Sequence, residues 1–521
     1  MSEVGGGRVI DQRRHRLCLR PPPTMLPEEK PENTLNSWNP TLRCSHTPPH
    51  TLAIAMFRTS STLARRTRDS TETKARMGKP TLAQLMEFIC KIPLAIGNLK
   101  SLSDINLSSN YITGEFPTIL YNCSKLQNLV LSINSFAVAI GRLTALQVLG
   151  LYSNEFTGTI PLEIGNLSNL EMLSTFGNKF EPSTILMELT RLKKLRYLFM
   201  SNTSLIGEIP SSLGDLTELM TLSLSDNNLN GTIPSNLSRL KKLLSLDLRG
   251  NRLSGKIPQS IGDMIELLLL AVSRNNLNGT IPSNLFIQLK KLDILHLSHN
   301  RFSGTIPSNL FQLKKLKILD LSNNTFSGEI PLSMGDMTEL ELLDLSKNNL
   351  NGTIPGNLIQ LKKLQGFDLS DNRLFGEIPK SIGDMTRLKW LDLSSNNLNK
   401  IIPSNVFKLK ELEILDLSNN RLSGEIPQSI GNMTKLKWLD LSDNNLNGII
   451  PSSVFKLKEL EGLDLSNNRL SGEIPRQVEA LNLSDIRLSS NSLTGTIPED
   501  FGRLTKLRVL SLHSNQLYGQ I

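Results

Sequence analysis

One sixteen-residue pattern, repeated to the end of the chain, constrains this sequence more than anything else. From about residue 92 the text L-x-x-L-x-L-x-x-N-x-L-x-G-x-I-P recurs, as in KLKWLDLSDNNLNGIIP over Lys435 to Pro451. Its asparagine position falls at 110, 134, 154, 178, 203, 227, 251, 275, 300, 324, 348, 372, 396, 420, 444, 468, 491 and 515; position 203 alone is Thr. Most intervals are 24 residues, with single steps of 20 and 23 and two of 25. A unit this short cannot bury its apolar face alone, so the copies must stack on one another. Length by itself would suggest about three domains. The period overrides that and predicts one repeat solenoid, α/β by convention, with about 18 repeats and a parallel sheet on its concave side.

Each part of the pattern has a mechanical reason. In L-x-L, side chains alternate across a strand, so Leu439 and Leu441 point inward while Asp440 and Ser442 point to solvent. The asparagine follows where the chain turns. An apolar residue there would strand backbone N–H and C=O groups, at about 1–3 kcal/mol each, whereas an amide offers both donors and an acceptor. A ladder is therefore expected through Asn110, Asn227, Asn251, Asn275, Asn300, Asn324, Asn348, Asn372, Asn396, Asn420, Asn444, Asn468, Asn491 and Asn515. The glycine of G-x-I-P permits left-handed backbone, and the proline ends regular structure at an edge turn. Between Ile257 and Pro475 a 48-residue superperiod alternates two block types, as tandem duplication would leave.

Charge and cysteine content narrow the function. The net charge is +9, but residues 1–80 hold 14 of the 57 Lys+Arg and only 7 of the 48 Asp+Glu. The repeats are close to neutral, which argues against a nucleic-acid partner. Residues 1–80 read as an irregular, disordered segment, and 81–521 as the repeat domain. Cys18, Cys44, Cys90 and Cys123 all lie in the first quarter, so disulfides cannot staple the array. No apolar run reaches the ~20 residues of a membrane span, and no hydrophobic leader follows Met1, Met25 or Met56. No cofactor motif is present: Gly5-Gly6-Gly7 lies between no strand and helix, and the serine column (Ser394, Ser418, Ser442) has neither base nor oxyanion arrangement.

The outward positions of the sheet are the candidate site. One column carries Asp320, Asp344, Asp368, Asp392, Asp416, Asp440 and Asp464. It is read either as solvated side chains normal to the repeat or as a field for a basic ligand. Beside it runs an apolar column of Leu269, Ile294, Ile318, Leu342, Trp390, Ile414 and Trp438. These should be partly exposed, either packing between neighbours or lining a groove for an extended peptide, with Trp390 and Trp438 as anchors. Tyr197, Phe199, Arg249, Arg274, His296 and His299 also break the small or acidic pattern. His296 and His299 have no third ligand of the right kind, so no metal is expected.

The L-x-G-x-I-P text resembles the plant-specific leucine-rich repeat. Three stretches, Thr113 to Leu126, Leu192 to Leu213 and Val478 to Leu504, resemble the ectodomains of HAESA-like plant receptor kinases. The resemblance implies a plant-type superhelix, an extracellular location, and no catalysis by the repeats. It implies a secreted peptide or protein ligand on the concave or lateral face, and a leucine-rich-repeat co-receptor kinase as a possible second partner. Related receptors grip a peptide's C-terminal carboxylate with an R-x-R pair, and no such pair occurs in these repeats. LNSWNP with Cys44 (35–44) resembles half of the family's N-terminal cap; the second cysteine of the pair is missing. The V-A-I-K and H-R-D sequences of a kinase are absent. Eleven N-x-S/T sequons occur, among them Asn106, Asn122, Asn166, Asn230, Asn278, Asn351 and Asn432 as glycosylation candidates. Two other readings stand beside the receptor: a secreted inhibitor of a pathogen cell-wall enzyme, and a truncated, non-functional gene product. The second is suggested by Leu507, Leu510, Leu512 and Leu517, which form a last repeat with nothing stacked on it.

Overall fold

A computed structural model describes residues 94–519 apart from the short stretches 109–112, 116–117, 132–134, 138–141 and 155–157. The expectations for residues 1–80, the 35–44 cap, Cys18, Cys44, Cys90, Asn110 and Asn134 lie outside the described residues.

Eighteen three-residue strands form one sheet. They run from Asp104–Asn106 to Val509–Ser511, one per repeat, each hydrogen-bonded in parallel to the strand of the next repeat. Parallel pairing is obligatory here, because every chain reversal is completed within a repeat before the next strand begins. The register is residue-for-residue: Leu391 faces Leu415, and Leu415 faces Leu439. Away from the ends of the array the inward leucines of both L-x-L positions, Leu439 and Leu441 among them, are buried. They form one continuous aliphatic core with Phe286, Phe302, Phe326, Phe367, Phe407 and Phe455. At the last strand, Leu510 is 43% exposed where its equivalents are at most 6%.

Two features complete each turn. Short second strands, such as Asn397–Ile401 and Arg421–Glu425, pair along one side of the array in small sheets of two to five strands. The glycine of G-x-I-P sits there with positive φ, for example 81° at Gly424; a Cβ would be strained in that region. The proline does more than end an edge. Pro210, Pro379 and Pro427 have φ near −60° and stand at the N-cap of five-residue 3₁₀ helices such as Ser211–Asp215, Lys380–Asp384 and Gln428–Asn432. Proline donates no N–H, which a helix start would leave unpaired in any case.

These helices give the 48-residue alternation a packing role. A Cβ built on Gly383 would lie 2.0 Å from the backbone oxygen of Asn405 in the next repeat, and one on Gly214 2.2 Å from that of Asn236. The S-I-G-D blocks thus admit the backbone of the S-N-L and S-N-V blocks that follow them. The triplet Asp500-Phe501-Gly502, which spells the D-F-G of a kinase loop, lies in one such helix, Glu499–Arg503. Phe501 is buried there and packs on Phe455, with ring centroids 5.9 Å apart, so the triplet serves the core.

Candidate ligand-binding face

The asparagine ladder supports this face from beneath. Asn372 shows its geometry. Its amide nitrogen donates to the carbonyls of Leu369 (3.1 Å) and Ser370 (3.1 Å) in its own repeat and of Leu345 (3.0 Å) in the one before. Its oxygen accepts the Leu350 N–H at 3.0 Å. The same four contacts recur at Asn251, Asn324, Asn396, Asn420 and Asn444. Each amide therefore clamps two repeats. At position 203 the Thr hydroxyl donates to Met200 O at 2.7 Å, replacing the contact within its own repeat.

The outward face of the main sheet divides into three segments along the array. Near the first repeats it is aromatic. Tyr197 and Phe199 lie half-buried on one strand, and Arg196 sits over the Tyr197 ring at 5.9 Å. Tyr152 and Phe176, not singled out from sequence, stack at 4.9 Å with planes 5° apart. Both occupy the position after L-x-L that is Ser in most repeats, and that departure was the signal available in the sequence.

The middle segment is basic, but its cations are not equivalent. Arg249 is committed to Asp247 through a bidentate pair, Nε to Oδ1 at 2.8 Å and a terminal nitrogen to Oδ2 at 2.9 Å. Burial opposes its charge, but the charge and hydrogen bond of Asp247 together with the charge of Asp226 outweigh that and raise its pKa. Beside it, burial raises the Asp226 carboxyl, with Arg249 opposing. Arg274 and His299 occupy exposed turns with φ of 55° and 54°. His296 faces Asp320 across the sheet, Nδ1 to Oδ2 3.5 Å. Among the described residues no group of three His, Cys, Asp or Glu side chains is placed to hold a metal.

The last segment corrects two expectations. Trp390 and Trp438 are not partly exposed: they retain 8% and 7% of their surface. Each indole lies across the glycine of a neighbouring strand. Gly366 pairs with Trp390 and Gly462 with Trp438. A Cβ on Gly462 would fall 2.0 Å from the Trp438 ring, and one on Gly366 3.3 Å from the Trp390 ring. Cross-strand packing on one face of a sheet thus buries side chains that alternation alone places outside. The two tryptophans do not meet, since the strand of Ile414 lies between them.

The aspartates are not solvated either. Asp392 and Asp416 are 0% exposed, Asp440 3% and Asp368 5%. Each carboxylate accepts from the serine two residues on. For Asp392 the Ser394 N–H lies at 3.0 Å and its hydroxyl at 2.7 Å; for Asp440 the Ser442 distances are 3.0 and 2.6 Å. Burial and the neighbouring Asp320 push the Asp344 carboxyl up to about 7. Burial with Asp392 and Asp344 holds Asp368 well above the usual carboxylate range, and burial with Asp416 and Asp464 does the same to Asp440.

Most of the glycosylation candidates occupy other surfaces. Asn230, Asn278 and Asn351 lie on the short second strands Asn228–Asn230, Asn276–Gly279 and Asn349–Asn351, while Asn122, Asn166 and Asn432 close 3₁₀ helices. Asn106 is an exposed end of a main-sheet strand. Cys123 is unbridged and buried. No described helix is long and apolar enough to cross a membrane.

A long parallel sheet of short strands, one per repeat and underlain by an asparagine ladder, defines the class of leucine-rich-repeat solenoids. Leucine-rich-repeat family models match residues 101–123, 145–167, 194–216, 218–240, 242–264, 290–350, 363–385, 378–422, 415–470 and 482–504, and the chain belongs to that family. Solved structures with which it shares the fold include three plant receptors. The ectodomain of the membrane receptor kinase GASSHO1/SCHENGEN3 from Arabidopsis thaliana, in complex with CASPARIAN STRIP INTEGRITY FACTOR 2, is 37% identical with a TM-score of 0.77. That match covers 83% of this chain and 55% of the receptor's, so this chain spans about half of that ectodomain. The Arabidopsis receptor kinase HAESA, in complex with the peptide hormone IDA and the co-receptor SERK1, is 34% identical over 82% of this chain and 81% of its own, with a TM-score of 0.71. The plant peptide hormone receptor RGFR1 with RGF2 is 34% identical over 80% and 79%, with a TM-score of 0.66. No curated protein matches the chain.

Proposed function

We propose that residues 81–521 form the extracellular ligand-recognition domain of a plant receptor-like kinase or receptor-like protein, and that the ligand is an extended secreted peptide. The observation carrying this reading is that receptors sharing the fold at 34% identity include HAESA in complex with the peptide hormone IDA and the peptide hormone receptor RGFR1 with RGF2. The divided outward face supports it. Five strand steps, about 24 Å, separate the Tyr197–Phe199 strand from that of Asp320, a span that about seven extended residues would bridge. Binding is non-covalent, and the composite surface then recruits a shorter leucine-rich-repeat co-receptor, as SERK1 joins HAESA. Within the face, Tyr197 and Phe199 with Arg274, His296 and His299 are the accessible contacts. Trp390, Trp438, Asp392, Asp440 and Arg249 contribute through the floor they build.

The test is a screen of synthetic plant secreted peptides against the purified chain, followed by calorimetry on any binder. Tyr197→Ala with Phe199→Ala should weaken binding by about ten- to a hundredfold, as loss of aromatic anchors does. Trp390→Ala with Trp438→Ala should weaken it less. Undiminished affinity in both double variants would remove the ligand from this face.

A further inference from the structure

One arrangement on this face needs no ligand to have a consequence. Seven aspartates stand in strict register on seven consecutive parallel strands: Asp320, Asp344, Asp368, Asp392, Asp416, Asp440 and Asp464. Neighbouring strands are about 4.8 Å apart. Like carboxylates that close, and withdrawn from water, cannot all ionise together. The charged groups around the column are unevenly placed. Its first member faces His296. Its last faces Arg487, 3.6 Å away, which also reaches Asp485 at 3.9 Å. The apolar column alongside, Ile318, Leu342, Gly366, Trp390, Ile414, Trp438 and Gly462, carries no charge. The column on the other side is serine, Ser322 to Ser466. Beyond the serines, the turns bring His299, Lys347, Asp371 and Asp443. Cations thus flank the two ends, while the nearest residues on both sides of the interior strands are neutral.

We infer that this column is a proton-holding ladder that makes the repeats from Ile318 to Asp464 pH-sensitive, more ordered when it retains protons and less so when it must ionise. The sign follows from where the protons sit. Asp344, Asp368, Asp440 and Asp464 have folded-state values above the ordinary carboxylate value, Asp344 at about 7. Such groups bind more protons folded than unfolded. Their stabilising effect is fully present at the acid end, below the ordinary carboxylate value, and is lost as pH rises through each raised folded-state value, about 7 for Asp344. Asp320 behaves oppositely. Burial raises it, but the hydrogen bond and charge of His296, with Ser298 and Ser322, bring it below its ordinary value, so its own contribution is lost as pH falls through that lowered value. Between pH 5 and 8 the raised members decide the direction.

The same chain contains its own control. The equivalent column positions in the early repeats are Gly150, Ser174, Phe199 and Ser223, and the next, Asp247, is paired with Arg249. Amide hydrogen exchange on the full chain, corrected for intrinsic rates, should show protection of strands 318–464 falling by at least about tenfold, one pKa unit's worth, relative to strands 148–199 between pH 5 and 8. Asp344→Asn with Asp368→Asn and Asp440→Asn keeps an acceptor for each serine and removes the shared titration, so it should flatten that difference. Parallel behaviour of the two segments in the wild-type chain, or an undiminished difference in the triple variant, would overturn the inference. If the triple variant does not fold, the wild-type comparison alone decides. No peptide is added, so the result is independent of the proposed ligand.

Discussion

Removing one rung of the asparagine ladder tests how the repeats are joined, and Asn372→Ala is the most informative choice. The substitution deletes three donor contacts and one acceptor contact, which counted singly would suggest a large loss. The carbonyls, however, are shared. Leu345 O keeps the amide of Asn348 at 3.1 Å, and Leu369 O keeps that of Asn396 at 2.9 Å. Ser370 O keeps the backbone N–H of Lys347 at 2.9 Å. Only the Leu350 N–H, held by Asn372 Oδ1, loses its partner. One unsatisfied buried donor costs about 1–3 kcal/mol, and that is the expected loss by denaturant titration. Exchange at the Leu350 amide should accelerate more than at Leu345 or Leu369. Asn372→Asp, which keeps the acceptor but turns a second carboxylate oxygen toward three carbonyls, should be worse than Ala at neutral pH and improve on acidification. A loss above about 4 kcal/mol for Ala, or unchanged protection at Leu350, would refute the sharing argument.

The alternation of blocks makes a paired prediction. Gly383→Ala, whose Cβ meets an immovable backbone oxygen, should destabilise by about 1–3 kcal/mol, while Gly356→Ala, with nothing within 4 Å, should be neutral in the same thermal melts. Lys400 holds φ at 76° where the neighbouring repeats place Gly376 and Gly424; Lys400→Gly should therefore stabilise by about 1 kcal/mol, and a loss of stability would mean that its side chain has a compensating contact. Gly462→Ala should displace the Trp438 indole, read as a red shift of tryptophan fluorescence. An unchanged spectrum would show that the indole does not rest on Gly462.

The periodic features were legible in the sequence because they are local. The alternation of Leu439 and Leu441, the spacing of Asn348, Asn372 and Asn396, and the step of 24 residues are visible within one or two copies. Together they determined the strand count, the parallel pairing and the ladder. The second strands and the 3₁₀ helices were less visible, since G-x-I-P supplies a turn signal without saying what begins after it, yet Pro379 and Pro403 both stand at the start of a helix. The state of the outward face was not legible at all. Alternation says that Trp390, Asp392 and Asp440 point away from the core, and they do. Whether water reaches them depends mainly on cross-strand neighbours about 24 positions away, which meet them only after stacking. The tertiary structure alone laid Trp438 across Gly462, tied Arg249 to Asp247, and set seven carboxylates side by side, where burial and neighbouring carboxylates raise Asp344, Asp368 and Asp440.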